Sequence, residues 1–174
     1  MSYIIVRKWD GLNENQMYYL VIVNRRDLKS LRDLNQDHLP LLRNIRDSVH
    51  GFLKSNHKGA CHADLSSYRM FFHYYPSYWH LHVHVTRADY DVHGTAIGCA
   101  HLLEEVIENI EMNSDYYTKV KNLMVSVKEI THASIIEKFS LINNKQDINP
   151  YATSKKIYLF IRLFIHSFIY SFIY

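Results

Sequence analysis

Three histidines, His80, His82 and His84, alternate with aliphatic residues in the stretch HLHVHVT at 80–86. Successive side chains of a β-strand point to opposite faces, so the three imidazoles are expected on one face and the aliphatic side chains on the other. Three charged imidazoles on one face would repel, and three buried ones would need partners for their ring nitrogens, so a purely structural explanation is weak. The stretch predicts a strand with one face in the core and one face available for chemistry.

Two kinds of chemistry suit such a row. Neutral imidazoles from one strand, with a further ligand elsewhere, hold zinc. Alternatively, one imidazole attacks a phosphorus atom while its neighbours orient it and bind the charged oxygens. The segment 73–86 contains hydroxyl groups and imidazoles but neither Asp nor Glu. That composition favours phosphate chemistry over a metal site.

The alternating pattern resembles that of the histidine triad (HIT) superfamily of nucleotide hydrolases and transferases, with Thr86 at the last apolar position. The longer string HYYPSYWHLHVHVT at 73–86 is similar to the scavenger mRNA-decapping branch of that superfamily. The blocks at 25–26, 30–34, 38–45 and 100–109 extend the resemblance over about residues 8 to 140.

This resemblance implies a set of site residues. The central His82 corresponds to the nucleophile of the family, supported by His80, His84 and His73. Candidate phosphate- and substrate-binding residues are Ser77 and Tyr78, which match the phosphate site, Lys8, which matches a lysine that contacts the cap nucleotide, and Arg69, whose guanidinium is a further positioned donor. The implied activity is hydrolysis of the 5′ cap of short mRNA remnants, acting on a capped RNA fragment or cap dinucleotide as a homodimer. No cofactor or metal is expected.

The chain departs from the family pattern in three places. We expect the N-terminal domain that closes over the cap to be missing, because nothing of it precedes Met1. Val6 stands where the resemblance implies an acidic contact to the methylated base, and Cys99 stands where it implies a basic residue. We therefore expect the hydrolytic centre to be intact and cap recognition to be impaired.

The secondary structure predicted from periodicity is a mixture of strands and helices. The expected elements are strands at 18–24, 68–74, 79–86 and 121–127, helices at about 35–53, 101–110 and 130–142, and a loop at 89–98. This mixture predicts an α+β fold, a HIT-like antiparallel sheet with helices packed on it. The chain has 174 residues, 48% of them hydrophobic, which suits one catalytic domain, placed at 1–145.

The two cysteines, Cys61 and Cys99, suggest a reducing compartment, cytoplasmic or nuclear. The net charge of +3 is too small to indicate nonspecific nucleic-acid binding. Basic residues that cluster between 25 and 46 are mixed with aspartates, which predicts solvated faces for them.

Residues 146–174 are expected to form a low-complexity apolar tail with the echo Phe-Ile-x-Ser. Its most apolar part, 157–174, is slightly short for a membrane span and is interrupted by Arg162 and His166, so membrane contact is not favoured. A docked strand or helix and a dimer contact are alternatives. The highest-ranked interpretation is a translated non-coding stretch.

Three functions remain open. The favoured one is a metal-independent pyrophosphohydrolase acting on capped or dinucleotide substrates. The second is a zinc hydrolase that uses the histidine row. The third is a catalytically impaired or nonselective nucleotide-binding remnant.

Overall fold

The computed structural model describes residues 2–7, 18–56, 67–90, 98–128 and 156–161. The chain divides into two compact units, Met1–Val120 and Lys121–Tyr174. The domain boundary that we predicted at residue 145 lies outside the described residues, as do the predicted helix at 130–142 and most of the predicted loop at 89–98.

The first unit contains a five-stranded sheet. Its strands are β1 (Tyr3–Arg7), β2 (Tyr18–Val23), β3 (Tyr68–His73), β4 (His82–Arg87) and β5 (Ala100–Leu102). Their spatial order is β1-β2-β4-β3-β5, and every neighbouring pair is antiparallel. The strand that carries His82 and His84 is therefore the middle strand. With the two helices of this unit, the sheet confirms the predicted α+β class.

The helices are α1 (Leu39–Asn56) and α2 (Leu103–Met112). The helix predicted at about 35–53 corresponds to α1 and to a short 3-10 turn, Gln36–His38, that leads into it. Pro40 is the second residue of α1, a position whose backbone N–H has no intrahelical partner. The buried side chains of α1 form one apolar stripe and comprise Leu39, Leu41, Leu42, Ile45, Val49 and Leu53.

Helix α1 covers one face of the sheet. The side chains of Val21, Val83 and Val85 are at most 1% exposed and lie on that face. The ring of Tyr19 meets that of Phe52 edge-on at 5.2 Å between centroids. Burial of these apolar groups stabilises the unit by about 25 cal/mol per Å² removed from water. Because side chains alternate, the histidines of β4 lie on the opposite face.

Two element boundaries differ from the predicted ones. Strand β4 begins at His82 rather than Trp79, because the Leu81 N–H leaves the ladder and donates to Leu28 O at 2.9 Å. The Leu81 carbonyl still accepts from Val23 N at 3.1 Å. Helix α2 begins at Leu103 rather than His101, because His101 belongs to β5 and pairs with Phe72. Helical periodicity does not distinguish a short edge strand from the first turn of the helix that follows it.

The prediction that all the clustered basic residues lie on solvated faces is wrong for Arg32, which is 6% exposed. A capping box turns the chain here: Ser30 Oγ accepts from Arg32 N at 3.1 Å, and Asp33 Oδ2 accepts from Ser30 N at 2.8 Å. The guanidinium donates to Tyr117 O at 2.7 Å and lies 5.4 Å from the centre of the Tyr74 ring. Arg32 therefore links the segment after β2 to the residues after α2.

The second unit contains a two-stranded antiparallel sheet. Its strands are β6 (Leu123–Lys128) and β7 (Lys156–Ile161). Strand β6 corresponds to the strand predicted at 121–127. Strand β7 lies within the segment predicted to be an apolar tail and pairs with β6. The interpretation of that tail stays a prediction. Within the described residues, no helix combines the length and the apolar composition that a bilayer span requires.

We expect Arg32→Ala to lower the free energy of unfolding by about 2–3 kcal/mol, because it removes a charge-assisted hydrogen bond from a buried site and leaves the Tyr117 carbonyl without that donor. Urea denaturation of the full-length chain measures the change. The matched control is Arg26→Ala, since Arg26 is exposed and its loss should change stability by less than about 0.5 kcal/mol. Equal effects of the two substitutions would contradict the structural role of Arg32.

Candidate active site

The face of the sheet opposite α1 collects the predicted histidines. In the register of the sheet, Phe71 of β3 pairs with His84, and Ile22 of β2 pairs with His82. His73, at the end of β3, has its ring centroid 4.0 Å from that of His84. The rings of His82 and His84 are 4.9 Å apart. The structure therefore brings His73, His82 and His84 together, as predicted.

His82 is held in one tautomer by its own backbone. Its Nδ1 lies 2.6 Å from the carbonyl oxygen of His80. A carbonyl only accepts hydrogen bonds, so Nδ1 carries the proton and donates it. In the neutral ring, Nε2 then keeps its lone pair. This is the form of histidine that acts as a nucleophile.

The protonation equilibrium of His82 favours the same form. Burial of this half-buried ring lowers its pKa below the ordinary histidine value, and the nearby charge of His80 lowers it further, while the hydrogen bond to the His80 carbonyl opposes these effects. Desolvation disfavours the charged imidazolium, so the neutral ring persists to lower pH.

His80 does not lie in β4, because the strand begins two residues later. Its Nε2 donates to the carbonyl oxygen of Val23 at 2.6 Å, which ties the residue to the end of β2. Its backbone carbonyl is the group that orients His82. His80 therefore belongs to the site through its carbonyl oxygen, a contribution that strand alternation alone does not predict.

His84 lies at the centre of a cluster of rings and is 6% exposed. Its ring stacks on Phe71 at 5.2 Å with 13° between the planes. The hydroxyl of Tyr18 forms a hydrogen bond with its Nδ1. Tyr18 was not among the predicted site residues. The sequence shows only that Tyr18 carries a hydroxyl in an otherwise apolar strand. Its partner, His84, can be identified only once the register of β2 and β4 is known.

The remaining predicted residues take different positions. Ser77 and Tyr78 are exposed in the segment between β3 and β4, with Tyr78 77% exposed. Arg69 donates from Nε to Thr86 Oγ1 at 3.2 Å and from Nη2 to Tyr90 O at 2.6 Å, so it holds the end of β4. Its contact with phosphate stays a prediction. Lys8 lies outside the described residues.

Metal binding was the open alternative for the histidine row. Within the described part of the chain, no three or more His, Cys, Asp or Glu side chains are grouped so that they could hold a metal ion. The imidazole nitrogens with known partners are instead bonded to backbone carbonyls and a phenol, as described for His80, His82 and His84.

Comparison with known proteins identifies the family of the chain. The family model described as "Scavenger mRNA decapping enzyme C-term binding" matches residues 3–99. Among curated proteins, the m7GpppX diphosphatase of Homo sapiens is 42% identical over 117 residues, which cover 63% of this chain and 32% of that protein. The m7GpppX diphosphatase of Bos taurus is 41% identical over 113 residues, 64% of this chain and 32% of the relative.

The similarity extends to distant organisms. The m7GpppX diphosphatase of Caenorhabditis elegans is 40% identical over 112 residues, 64% of this chain and 35% of that protein. The matched part of the chain spans about a third of the length of these curated relatives. The matched region includes β1 to β4 and the whole histidine cluster. The chain therefore belongs to the scavenger mRNA decapping enzyme family, in the C-terminal region of that family.

Proposed function

We propose that this chain hydrolyses a pyrophosphate bond in the 5′ cap of short mRNA remnants, releasing methylated GMP and a nucleoside diphosphate or RNA. The observation that carries the proposal is the hydrogen bond from His82 Nδ1 to the His80 carbonyl, which leaves the lone pair on Nε2. The names of the m7GpppX diphosphatases support the substrate class. The partner is a capped RNA fragment or a cap dinucleotide, and the same resemblance underlies our proposal of a homodimer in the cytoplasm or nucleus.

The reaction proceeds in two displacements. His82 Nε2 attacks the phosphorus nearest the methylated guanosine, a P–N bond forms, and the P–O bond to the departing nucleoside diphosphate breaks with the electron pair going to that oxygen. Water then attacks the same phosphorus, the P–N bond breaks, and Nε2 regains its electron pair. The proton of the water passes to solvent. Each step balances without a metal or cofactor.

The site also stabilises the charges that the reaction creates. Attachment of the nucleotide at Nε2 makes the His82 ring cationic while Nδ1 still carries its proton. The His80 carbonyl oxygen, 2.6 Å from that nitrogen, carries a partial negative charge and stabilises the cation. Ser77 and Tyr78 are proposed to bind the phosphate oxygens, because their exposed hydroxyls lie in the segment that leads into β4.

A second candidate is a pyrophosphohydrolase with weak selectivity for the methylated base. Val6 is 39% exposed and lies on the same sheet face as the histidines, since it pairs with Leu20, which in turn pairs with His84. Two strand spacings separate its backbone from that of His84 by about 10 Å. An apolar side chain there offers no countercharge to 7-methylguanine, which is cationic.

His82→Ala is expected to reduce turnover of a methylated cap dinucleotide by at least about 10³-fold, because it removes the nucleophile. Rapid acid quench followed by mass spectrometry should detect a nucleotidylated histidine at residue 82 in the unsubstituted protein. His50→Ala is the matched control, since His50 lies on α1 and α1 covers the other sheet face. A covalent label on another residue, or full activity of His82→Ala, would reject the proposed nucleophile.

The pH profile follows from the state of His82. The neutral ring is the active form, and burial lowers its pKa. As pH falls, kcat/KM should therefore stay constant until the ring becomes protonated, and the midpoint of its decline should lie below the ordinary histidine value of 6.5. The ring of His82, identified by NMR through its loss in His82→Ala, should titrate with the same midpoint in the free protein. A midpoint at or above 6.5 in either measurement would contradict this prediction.

Base selectivity is tested at position 6. Val6→Asp should raise the ratio of kcat/KM for methylated over unmethylated cap dinucleotide by about tenfold, because the carboxylate stabilises the cationic base. Val6→Asn is the control, because asparagine has nearly the same shape as aspartate without the charge. It should leave the ratio of the two kcat/KM values within about twofold of that of the unsubstituted protein. Strong methyl selectivity before any substitution would reject the second candidate function.

A further inference from the structure

The Nδ1 atoms of His82 and His84 have hydrogen-bonding partners of different kinds, one an acceptor and the other able to donate. The Nδ1 of His82 faces a carbonyl oxygen, which only accepts. The Nδ1 of His84 faces the phenol of Tyr18, which has a proton to donate. Residues 82 and 84 are two positions apart and lie on one face, so the two local environments are about 7 Å apart along the strand.

The direction of the bond between Tyr18 and His84 follows from acidity. A phenol, with an ordinary pKa near 10, is a stronger proton donor than a neutral imidazole N–H, and an imidazole nitrogen is a stronger acceptor than a phenol oxygen. Tyr18 is 3% exposed and His84 is 6% exposed, so bulk water does not compete strongly for this bond. The favoured arrangement has the Tyr18 hydroxyl donating to His84 Nδ1.

A nitrogen that accepts a hydrogen bond carries no proton, so a neutral His84 must carry its proton on Nε2. The two ring nitrogens point in opposing directions, and Nε2 is turned away from Tyr18. The ring lies 4.0 Å from His73 and 4.9 Å from His82, measured between centroids. The positive end of the His84 ring dipole is therefore directed away from the Tyr18 hydroxyl.

We propose that Tyr18 is a positioning residue that holds His84 in the Nε2-protonated tautomer, opposite to the tautomer of His82, so that one ring presents a lone pair and its neighbour an N–H donor. The catalytic consequence rests on the proposed function. Negative charge spreads over the phosphate oxygens as His82 attacks, and a donor fixed beforehand stabilises that charge without reorganising during the reaction. The stacking of His84 on Phe71 and the bond from Tyr18 together fix the plane and the tautomer of the ring.

The alternative without Tyr18 is a mixture of tautomers. A buried neutral imidazole whose Nδ1 has lost its donor is free to carry the proton on either nitrogen. In protein molecules whose His84 carries its proton on Nδ1, Nε2 presents a lone pair where the transition state needs a donor. The lone pair repels the phosphate oxygens and raises the energy of the transition state. Tyr18→Phe is therefore expected to lower kcat and to leave KM nearly unchanged, because the His84 donor acts on charge that develops only in the transition state.

The test compares Tyr18→Phe with Tyr19→Phe. Both delete one phenol oxygen from adjacent positions of β2, but Tyr19 faces α1, where its ring meets Phe52. Tyr18→Phe should lower kcat for a cap dinucleotide by about tenfold, the size of one lost hydrogen bond, with KM within about twofold. Tyr19→Phe should leave kcat within about twofold. Thermal unfolding of each variant shows whether the fold is retained.

The tautomer is read independently of activity. In long-range proton–nitrogen NMR spectra of the free protein, His84 is assigned by its loss in His84→Gln, and its Nδ1 should show the shift of an unprotonated nitrogen. In Tyr18→Phe this signal should move toward the protonated position, while Tyr19→Phe should leave it in place. A protonated Nδ1 in the unsubstituted protein, or a signal that Tyr18→Phe does not move, would overturn the inference.

The same measurements separate this inference from the proposed function. If no nucleotidylated His82 forms with a cap substrate, the proposed function is rejected. The NMR spectra of the free protein still test whether Tyr18 sets the tautomer of His84, because they do not depend on turnover. If the tautomer changes in Tyr18→Phe while kcat stays within twofold, Tyr18 sets the tautomer without a role in turnover, and the positioning role is overturned.

Discussion

The hydrogen bond from His82 Nδ1 to the carbonyl of His80 is the interaction on which the site depends. It forms between residues two apart, so it requires the chain to bend just before β4 begins. That bend is held on both sides. The Leu81 N–H donates to Leu28 O, the Leu81 carbonyl accepts from Val23 N, and the His80 ring donates to Val23 O. The end of β2 thus determines the geometry of the group that orients the nucleophilic ring.

The sheet separates packing from chemistry. Val83 and Val85 are buried against the helical side, and His82 and His84 face the other way. Because β4 is the middle strand, it has a hydrogen-bonded neighbour on each side, and β2 and β3 supply the groups that surround the imidazoles. Tyr18 comes from β2, and Phe71 and His73 come from β3. A strand bonded on both sides is a suitable support for a preorganised cluster of side chains.

Much of this arrangement could be predicted from the sequence, and the remainder has physical reasons. Periodicity identified β2, β3 and α1, and alternation placed His82 and His84 together, because these features depend on local spacing alone. The burial of Arg32 depends on Tyr117, 85 positions away, and the partner of His84 depends on a pairing between residues 66 apart. Such contacts follow from register and tertiary packing, which local patterns do not determine. The same holds for the start of β4, where the Leu81 N–H bonds to Leu28 O instead of continuing the ladder with β2.

The alternation in β4 also limits how the chain can change in length. An odd number of residues inserted within 74–81, if absorbed by sliding β4 along its neighbours, would exchange the imidazoles for the valines and place ring nitrogens in an apolar layer. An insertion that leaves β4 in place must be taken up upstream of Leu81, whose two backbone bonds hold the strand entry. Homologous chains should therefore tolerate length variation in the turn at Ser77 and Tyr78 far better than in the two residues that precede His82.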